Sequence, residues 1–368
     1  MKLLSFSYRD YDWELNDLYL QNLNLIVGKN STGKSRVLST LDMFVKMITG
    51  KRDINWSGQW EVSFKMDDNR RLDYSFGTTV KGGIEYEKIY LTHNSIVGSG
   101  DLVLERQRNQ NICRLQNANH NNVWETIVPP ANKLVLHTRR DVRAYPYLEK
   151  IALWAENSHG FKFGNISPTA FLNMQEYDLL MAVEDIPALF MSLSSRQASI
   201  NRIKQEFNNL GYNISRIWVN NNGQNTLLLV QEEGINKPLP HFKLSQGMFR
   251  SLAMIIFLEY LIVVKRPQTI IIDDLCESLD YERSTKLGKL IFDKCQQNHV
   301  QLICTSNDGF LMDVVDIDNW NVLQRNGTQV TAINTQTHPS IFEDFQFTGL
   351  SNFFFFTSNY IAQKLAQQ

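Results

Sequence analysis

The sequence predicts an α/β fold, and three stretches of the chain support this prediction. Residues 23–27, LNLIV, form a short apolar run typical of a buried strand, and a glycine-rich loop and an apolar helix-like pattern follow it. A second buried strand, TIIID at 269–273, ends in a carboxylate. Between them, residues 59–136 contain short β-rich segments separated by Gly, Asn and Asp, which indicates an antiparallel lobe.

Length and composition are those of a folded chain. It has 368 residues, enough for one large domain or two, with 43% hydrophobic and 20% charged residues. The net charge of −1 gives no global positive field for nucleic acid, which leaves a local basic patch as the alternative. The four cysteines form no CxxC pair and have no histidines clustered near them, so we expect neither a zinc site nor a disulfide framework.

We expect no targeting or membrane-spanning segment. The start, MKLLSFSYRDYDWELN, turns acidic and polar too early for a signal peptide. The longest apolar run, 252–264, contains Glu259 and is too short to span a bilayer, so we interpret it as a buried helix. These features predict a soluble, cytoplasmic protein without a membrane partner.

Residues 28–35, GKNSTGKS, match the phosphate-loop pattern G-x-x-x-x-G-K-[ST] between a strand and a helix. The glycines let the backbone N–H groups point inward, Lys34 can reach the β- and γ-phosphates, and Ser35 can ligate Mg²⁺. A chance glycine-rich turn is the alternative, and the flanking strand and helix argue against it. The predicted nucleotide-binding residues of the loop are Gly28, Lys29, Asn30, Ser31, Thr32, Gly33, Lys34, Ser35 and Arg36.

The acidic strand at 269–273 provides a second part of such a site. A strand-end carboxylate beside a phosphate loop usually holds Mg²⁺, and Asp273 has this position. We expect Asp274 to face the attacking water and polarise it, so Asp274 and Lys34 are predicted catalytic residues. An ordinary Asp-Asp turn after a core strand is the alternative interpretation.

Four motifs in this order resemble those of an ABC-type ATPase, which is a P-loop NTPase. They are GKNSTGKS (28–35), LSQGMFR (244–250), IIIDDLCESLD (270–280) and VQLICTSND (300–308). The resemblance predicts an ABC-type head with an antiparallel β lobe and a short helical insertion. It divides the head into an N-terminal core with the phosphate loop, the lobe and insertion, a signature and switch core, and a tail, at 1–58, 59–240, 241–330 and 331–368.

In ABC-type ATPases the LSxG turn binds the γ-phosphate of the nucleotide held by the other subunit, so two heads enclose two ATP molecules. The resemblance therefore implies that Ser245, Gln246 and Gly247 bind the partner's ATP, with the dipole of the following helix adding to the attraction. The alternative is an ordinary N-capped core helix. Residues 278–280, SLD, match the D-loop that crosses the dimer interface.

The central tract favours one branch of this family. Residues 170–210 are rich in helix formers, but Pro187 and the SLSS at 192–195 interrupt them, so we expect a short helical pair rather than a long coiled coil. Residues 214–219 and 226–232 are predicted to form a hairpin. This organisation resembles compact bacterial ABC ATPases related to RecF, SMC and OLD proteins, found in phage-defence or toxin-like operons, and we expect no TOPRIM nuclease domain after it.

Two positions depart from the family pattern. Asp274 stands where the family usually has Glu, with Glu277 as a nearby substitute, and Ser306 or Asn307 stands where it usually has a switch His. We assign the switch position to Asn307, which can donate a hydrogen bond to a γ-phosphate but cannot carry a proton as His can. Both departures predict slow hydrolysis.

Some contacts of a nucleotide are poorly marked in the sequence. Trp13 and Tyr11 are the candidates for stacking on adenine, although such residues more often serve in packing. Gln107 and Gln110 are the candidates for the glutamine loop.

Two further stretches have alternative interpretations. The basic stretch 137–150 offers Arg139, Arg140 and Arg143 to phosphate or DNA, and a solvated turn with local ion pairs is the alternative. The run FFFF at 353–356 is too apolar to leave in water, so it packs against the head or binds a partner chain.

These features predict an ATP- and Mg²⁺-dependent ATPase that forms a homodimer or higher oligomer around ATP and gates a separate effector, a nuclease or toxin, in anti-phage defence. The alternative is a RecF-like repair ATPase that binds DNA. A transporter ATPase fits less well, because the lobe is large and the switch His is missing. Phosphoryl transfer to a protein or metabolite is a fourth option, but nothing in the sequence resembles its substrate pocket.

Overall fold

The computed structural model describes residues 1–54, 56–92, 100–166, 186–221, 226–265, 269–358 and 360–367. The chain forms two compact units. The first comprises Met1–Ser158 and Asp318–Phe342, and the second comprises His159–Ile317 and Glu343–Gln368.

The described residues form strands and helices in the following order. The strands are β1 (Lys2–Arg9), β2 (Glu14–Tyr19), β3 (Leu23–Val27), β4 (Gly58–Lys65), β5 (Arg71–Thr78), β6 (Ile84–Thr92), β7 (Asp101–Gln107), β8 (Ile112–Asn117), β9 (Val123–Thr126), β10 (Ser158–Lys162), β11 (Ile214–Asn221), β12 (Thr226–Glu232), β13 (Leu239–Pro240), β14 (Thr269–Asp273), β15 (Gln301–Thr305), β16 (Trp320–Asn326) and β17 (Gln329–Ile333). The helices are α1 (Lys34–Ile48), α2 (Pro146–Glu156), α3 (Ile186–Ser192), α4 (Gln197–Asn209), α5 (Gln246–Tyr260), α6 (Tyr281–Gln297), α7 (Gly309–Val314), α8 (Pro339–Gln346), α9 (Asn352–Thr357) and α10 (Tyr360–Leu365).

The first unit is built on a mixed sheet in the order β3-β16-β17-β2-β1-β4-β5-β6-β7-β8-β9. Strand β3 pairs with β16 in parallel and is buried along its whole length, which explains its continuous apolar sequence. From β4 to β9, successive strands pair antiparallel as a meander. This meander is the predicted antiparallel lobe.

Helix α1 is anchored on this sheet by aromatic packing. The Phe44 ring lies 6.2 Å from Phe6, 6.3 Å from Tyr74, 6.0 Å from Phe76 and 6.1 Å from Trp154, measured between centroids. All five side chains are buried. Because large aromatic side chains contribute strongly to core packing, this cluster holds α1, and the loop that precedes it, in place.

One of the β-rich segments predicted as a strand of the lobe, NKLVLHT at 132–138, is not a strand, so this prediction is wrong. The segment 132–138 forms a 3₁₀ turn, Val135–His137, rather than a strand. The Val135 N–H donates to the Glu87 carboxylate at 2.9 Å, so it is not available to a strand ladder. Desolvation in this fully buried position raises the pKa of Glu87 to about 7. Strands β4, β5, β6 and β7 confirm the other segments predicted as strands of the lobe, and the polar strands β8 and β9 were not predicted.

The second unit contains the predicted acidic strand. Strands β14 and β15 pair in parallel with Ile272 opposite Cys304, and β10 lies on the other side of β14. Strands β11 and β12 form the predicted hairpin, whose turn at 222–225 lies outside the described residues. The predicted short helical pair is present as α3 and α4. Its predicted N-terminal part, 170–185, lies outside the described residues.

Helix α5 is the core helix of the second unit. Residues 248–259 of this helix are buried, which confirms the prediction for most of the apolar run 252–264, whereas Val264 at its end is 38% exposed. Its charged residue, Glu259, is paired with Arg202 at 2.6 Å and with Lys294 at 3.1 Å. Among the described residues, Gln246–Val264 is one helical segment long and apolar enough to cross a membrane, and 72% of its apolar window is buried, as in the core helix of a soluble protein.

The phenylalanine run divides between the two alternatives. Phe355 is buried, with its ring 4.6 Å from Phe345 and 5.8 Å from Tyr360, so it packs on its own unit. Phe353 and Phe354 are 38% and 45% exposed. These two rings leave apolar surface available to a partner chain.

Candidate nucleotide-binding and hydrolysis site

The loop after β3 has the geometry of a phosphate cradle. At Gly28 an added Cβ would lie 2.5 Å from Thr32 Oγ1 and 3.2 Å from Leu323 O, so a side chain does not fit there. Gly33 has φ +104° and is the N-cap of α1, a helix without a side-chain cap or an acidic residue in its first turn. The positive end of α1 is therefore open to an anion.

Lys34 lies at the base of this loop. It is 7% exposed, and its Nζ donates to the carbonyl of Gly28 at 2.6 Å and to that of Lys29 at 3.4 Å. Ser35, the next residue, is exposed. The ammonium is thus held beside the loop backbone, while Ser35 is exposed at the start of α1.

The two candidates for adenine stacking differ in exposure. Trp13 is 1% exposed, and its indole lies against Gly33, so it supports the loop from below. Arg36 covers the Trp13 ring at 4.9 Å and pairs with Asp10 at 2.8 Å. Tyr11 is 82% exposed, which makes it the better candidate for stacking.

In the second unit, Asp273 is the last residue of strand β14 and Asp274 follows it. Thr305, the last residue of the parallel strand β15, donates its hydroxyl to Asp273 Oδ1 at 2.6 Å and accepts the N–H of Asp274 at 2.9 Å. Asp273 is 5% exposed. Carboxylate and hydroxyl oxygens are the ligands that Mg²⁺ prefers, so Asp273 and Ser35 fit the predicted metal in chemical type.

Two predicted catalytic residues, Asp274 and Asn307, line one cavity of about 190 Å³. Asp274 has φ +54°, in the left-handed region that Asp tolerates better than most residues. Glu277, the substitute for Asp274, is exposed and lines the same cavity. Ser306 is buried and donates to Leu275 O at 2.8 Å, so of the two switch candidates only Asn307 faces the cavity.

Lys162, the last residue of β10, lies at this site but was not among the predicted site residues. Its Nζ lies 3.5 Å from Asp273 Oδ2 and 3.4 Å from Asp274 Oδ2. Desolvation lowers the pKa of Lys162, but attraction to these carboxylates outweighs it, so the pKa is raised above its usual value. The available signal was a charged residue between a β-like segment and a glycine turn, in SHGFKFGN at 158–165.

The signature turn caps helix α5. Ser245 is the exposed N-cap, and its Oγ accepts the N–H of Met248 at 3.3 Å, so the N-cap alternative is correct as far as it goes. Gly247, Ser278 and Asp280 line a cavity of about 220 Å³ with Ser245. The predicted signature turn and D-loop therefore share one depression on the second unit.

Arg250 connects the signature helix to the segment that follows Lys162. It is 5% exposed and donates to Gly164 O at 2.6 Å, Ile166 O at 3.0 Å and Glu277 O at 3.1 Å. Three carbonyls satisfy this buried guanidinium. Arg250 thus ties helix α5 to two segments, the one that follows β10 and the one that follows β14.

The candidate arginines are placed as follows. Arg140 pairs with Glu149 at 2.6 Å and with Glu156 at 3.1 Å, which favours the local ion-pair interpretation over DNA binding. Arg139 and Arg143 are exposed.

The candidate glutamines lie in the antiparallel lobe. Gln107 is the last residue of β7 and donates to Glu105 at 2.9 Å, and Gln110 lies in the next turn. These contacts give neither residue a role with nucleotide.

A family model described as "AAA domain, putative AbiEii toxin, Type IV TA system" matches residues 23–313, which include the phosphate loop, the signature turn and the acidic strand. The chain belongs to this family. The AAA-domain family is one of ATP-binding proteins, in agreement with the predicted nucleotide site. A search of curated proteins gave no match.

Solved structures show the same fold. The SMC head bound to the C-terminal winged-helix domain of ScpA has a TM-score of 0.55 and 11% identity, and the match covers 90% of this chain and 97% of that one. The SMC head with an extended coiled coil bound to the C-terminal domain of ScpA derived from Pyrococcus furiosus has a TM-score of 0.51 and 12% identity, with coverages of 94% and 99%. The prediction of an α/β P-loop ATPase head of the ABC type is confirmed.

Proposed function

We propose that this AAA-domain chain binds ATP with Mg²⁺ and hydrolyses it slowly, as a dimer in which each copy completes the nucleotide site of the other. The proposal depends mainly on the presence of a glycine at position 247, in the signature turn. A Cβ at this position would lie 3.5 Å from Leu279, an ordinary contact, and its φ is not in the left-handed region. Neither backbone strain nor crowding within its own unit therefore requires glycine at this position.

A close approach from outside the unit supplies a reason for glycine. Gly247 and the exposed hydroxyl of Ser245 lie at the positive end of α5, whose first turn has no acidic residue. Such a helix end attracts an anion, and the absence of a side chain lets phosphate oxygens reach the backbone N–H groups. The γ-phosphate of a nucleotide on a second copy fits this requirement.

The proposed roles of the side chains follow from their positions. Lys34 would bind the phosphates of the nucleotide in the same copy, and Ser35 and Asp273 would hold Mg²⁺, which neutralises phosphate charge when it is bound. Asp274 would orient the attacking water, and Asn307 would donate a neutral hydrogen bond to the γ-phosphate. Slow hydrolysis is expected because the side chain of Asp274 is one methylene shorter than the Glu that the family usually has, and because Asn307 cannot transfer a proton as His can.

Replacing Asp274 with asparagine should retain MgATP binding but lower the turnover number by about 100-fold, since a positioned general base contributes roughly 10²–10⁴. The ATP-bound dimer should then accumulate. Turnover can be measured by phosphate release and dimerisation by light scattering. Glu277→Gln is the matched comparison because both residues line one cavity. The reverse ranking of the two variants would assign the role to Glu277 instead.

We further propose that the dimer gates a separate effector, a nuclease or toxin, in anti-phage defence. The family description names a toxin of type IV toxin–antitoxin systems, and the SMC heads in the solved structures are bound to ScpA. The partly exposed Phe353 and Phe354 provide apolar surface for such a partner. Co-purification with the product of a neighbouring gene, stronger with ATP than with ADP, is the expected result. Equal recovery in both nucleotide states would contradict gating.

A further inference from the structure

The acid pair at the end of β14 has a lysine beside it in the described structure. Lys162 Nζ lies 3.5 Å from Asp273 Oδ2 and 3.4 Å from Asp274 Oδ2, so the ammonium is placed almost equally between the two carboxylates. Among the described residues of this unit, Lys162 is the one positively charged side chain within 4 Å of either carboxylate. The same unit places Glu277 and Asp308 with Asp274 around one cavity.

The surroundings make a counterion necessary at this position. Asp273 is 5% exposed, and burying an ionised carboxylate without a compensating charge is costly. Asp274 adds a second negative charge at the next residue, and like charges this close repel each other. One ammonium compensates part of this charge.

Lys162 is nevertheless held loosely. Its distances to the carboxylates exceed the 2.7–2.9 Å usual for a charge-assisted N–H···O bond. Its side chain is 34% exposed, so the ammonium can move into solvent on its flexible stem. Such a contact neutralises the acids but can be replaced by a stronger cation.

We propose that Lys162 is a displaceable counterion of Asp273 and Asp274, which occupies the divalent-cation position in the nucleotide-free protein and leaves it when the cation arrives. This inference rests on the proposed function for the identity of the site. Lys162 is a positioning residue here. Its consequence is that the protein binds a free divalent cation weakly, so that the cation enters together with the nucleotide phosphates.

The test is a titration of the nucleotide-free protein with Mn²⁺ alone. The electron paramagnetic resonance signal of free Mn²⁺ measures how much of the cation remains unbound. Lys162→Met should bind Mn²⁺ about tenfold more tightly than the wild type. An opposite charge within about 4–6 Å lowers the pKa of a carboxylate by roughly one unit or more, which is a tenfold loss of proton affinity. The ammonium should weaken the binding of another cation by a similar factor. Lys162→Arg, which retains the charge, should bind as weakly as the wild type. Lys286→Met is the matched control, because it removes a lysine paired with Glu282 on the surface of α6.

A second measurement separates this role from a general structural one. In EDTA, Lys162→Met should melt at a lower temperature than the wild type, and Mn²⁺ should restore the loss. Adding Asp273→Asn to Lys162→Met should remove the tight Mn²⁺ site. Equal Mn²⁺ affinity in the wild type and in Lys162→Met, or tight binding that survives Asp273→Asn, would overturn the proposal. If the methionine variant does not fold, Lys162→Gln takes its place.

Failure of this inference and failure of the proposed function can be told apart. The titration contains no nucleotide, so its result does not depend on ATP binding or dimerisation. A wild-type chain that fails to bind ATP would refute the proposed function while the Mn²⁺ affinities stay interpretable. Unchanged Mn²⁺ affinity in Lys162→Met would refute the counterion role and leave ATP binding untouched.

Discussion

Replacing Lys34 with methionine should lower the affinity for ATP by roughly 100-fold or more, equal to about 3 kcal/mol, because about two hydrogen bonds from a charged donor to the phosphates are lost. Methionine fills a similar volume at this 7% exposed position, so the loop retains its packing. The backbone N–H groups and the open end of α1 remain, which leaves weak residual binding. Hydrolysis should fall with the binding.

The measurement is a titration with a fluorescent ATP analogue in the presence of Mg²⁺. Lys51→Met is the matched control, since Lys51 is an exposed lysine just past the end of α1. Circular dichroism confirms that both variants fold. An unchanged ATP affinity in Lys34→Met would contradict the assignment of residues 28–35 as the phosphate loop.

The second large effect is expected at the signature turn. Ser245→Arg should leave ATP binding by each copy intact but abolish ATP-dependent dimerisation. The arginine occupies the space of the incoming phosphate, and both sites of a symmetric dimer are affected at once. The local cost is small, because loss of an N-cap destabilises a helix by about 1 kcal/mol. Light scattering with MgATP in the Asp274→Asn background measures the dimer.

Gly247→Ala is a milder test of the same surface. The unit has room for the added methyl group, so folding should be unchanged, while the approach of a phosphate to the backbone is blocked. Ser195→Arg, at an exposed serine between α3 and α4, is the matched control for the added charge. A normal dimer in both Ser245→Arg and Gly247→Ala would show that the signature turn binds no nucleotide of a second copy.

The local motifs were predictable because the residues that define each of them are consecutive or nearly consecutive in the sequence. The order of strand, glycine loop and helix at 23–48 follows from apolar pattern and from the need for N–H groups around a phosphate. The acidic strand β14 and the N-cap role of Ser245 follow in the same way. Each depends on contacts within a few positions of the chain.

The elements that were predicted wrongly or not at all depend on contacts between positions far apart in the chain. Val135 lies in a turn because the carboxylate of Glu87, far away in the chain, accepts its N–H. The strands β8 and β9 form because neighbouring strands of the meander supply hydrogen-bond partners, although their own polar sequences do not predict strands. No local pattern marks such partners.

The sequence by itself determined an α/β ATPase head with a phosphate loop, a signature turn and an acidic strand, since backbone conformation and short motifs are encoded by neighbouring residues. Only the tertiary structure decided which charges meet. It placed Lys162 between Asp273 and Asp274, and it brought Asn307 to the cavity of Asp274. The physical reason is that electrostatic contacts depend on distance in space, and the pairing of β10, β14 and β15 sets that distance.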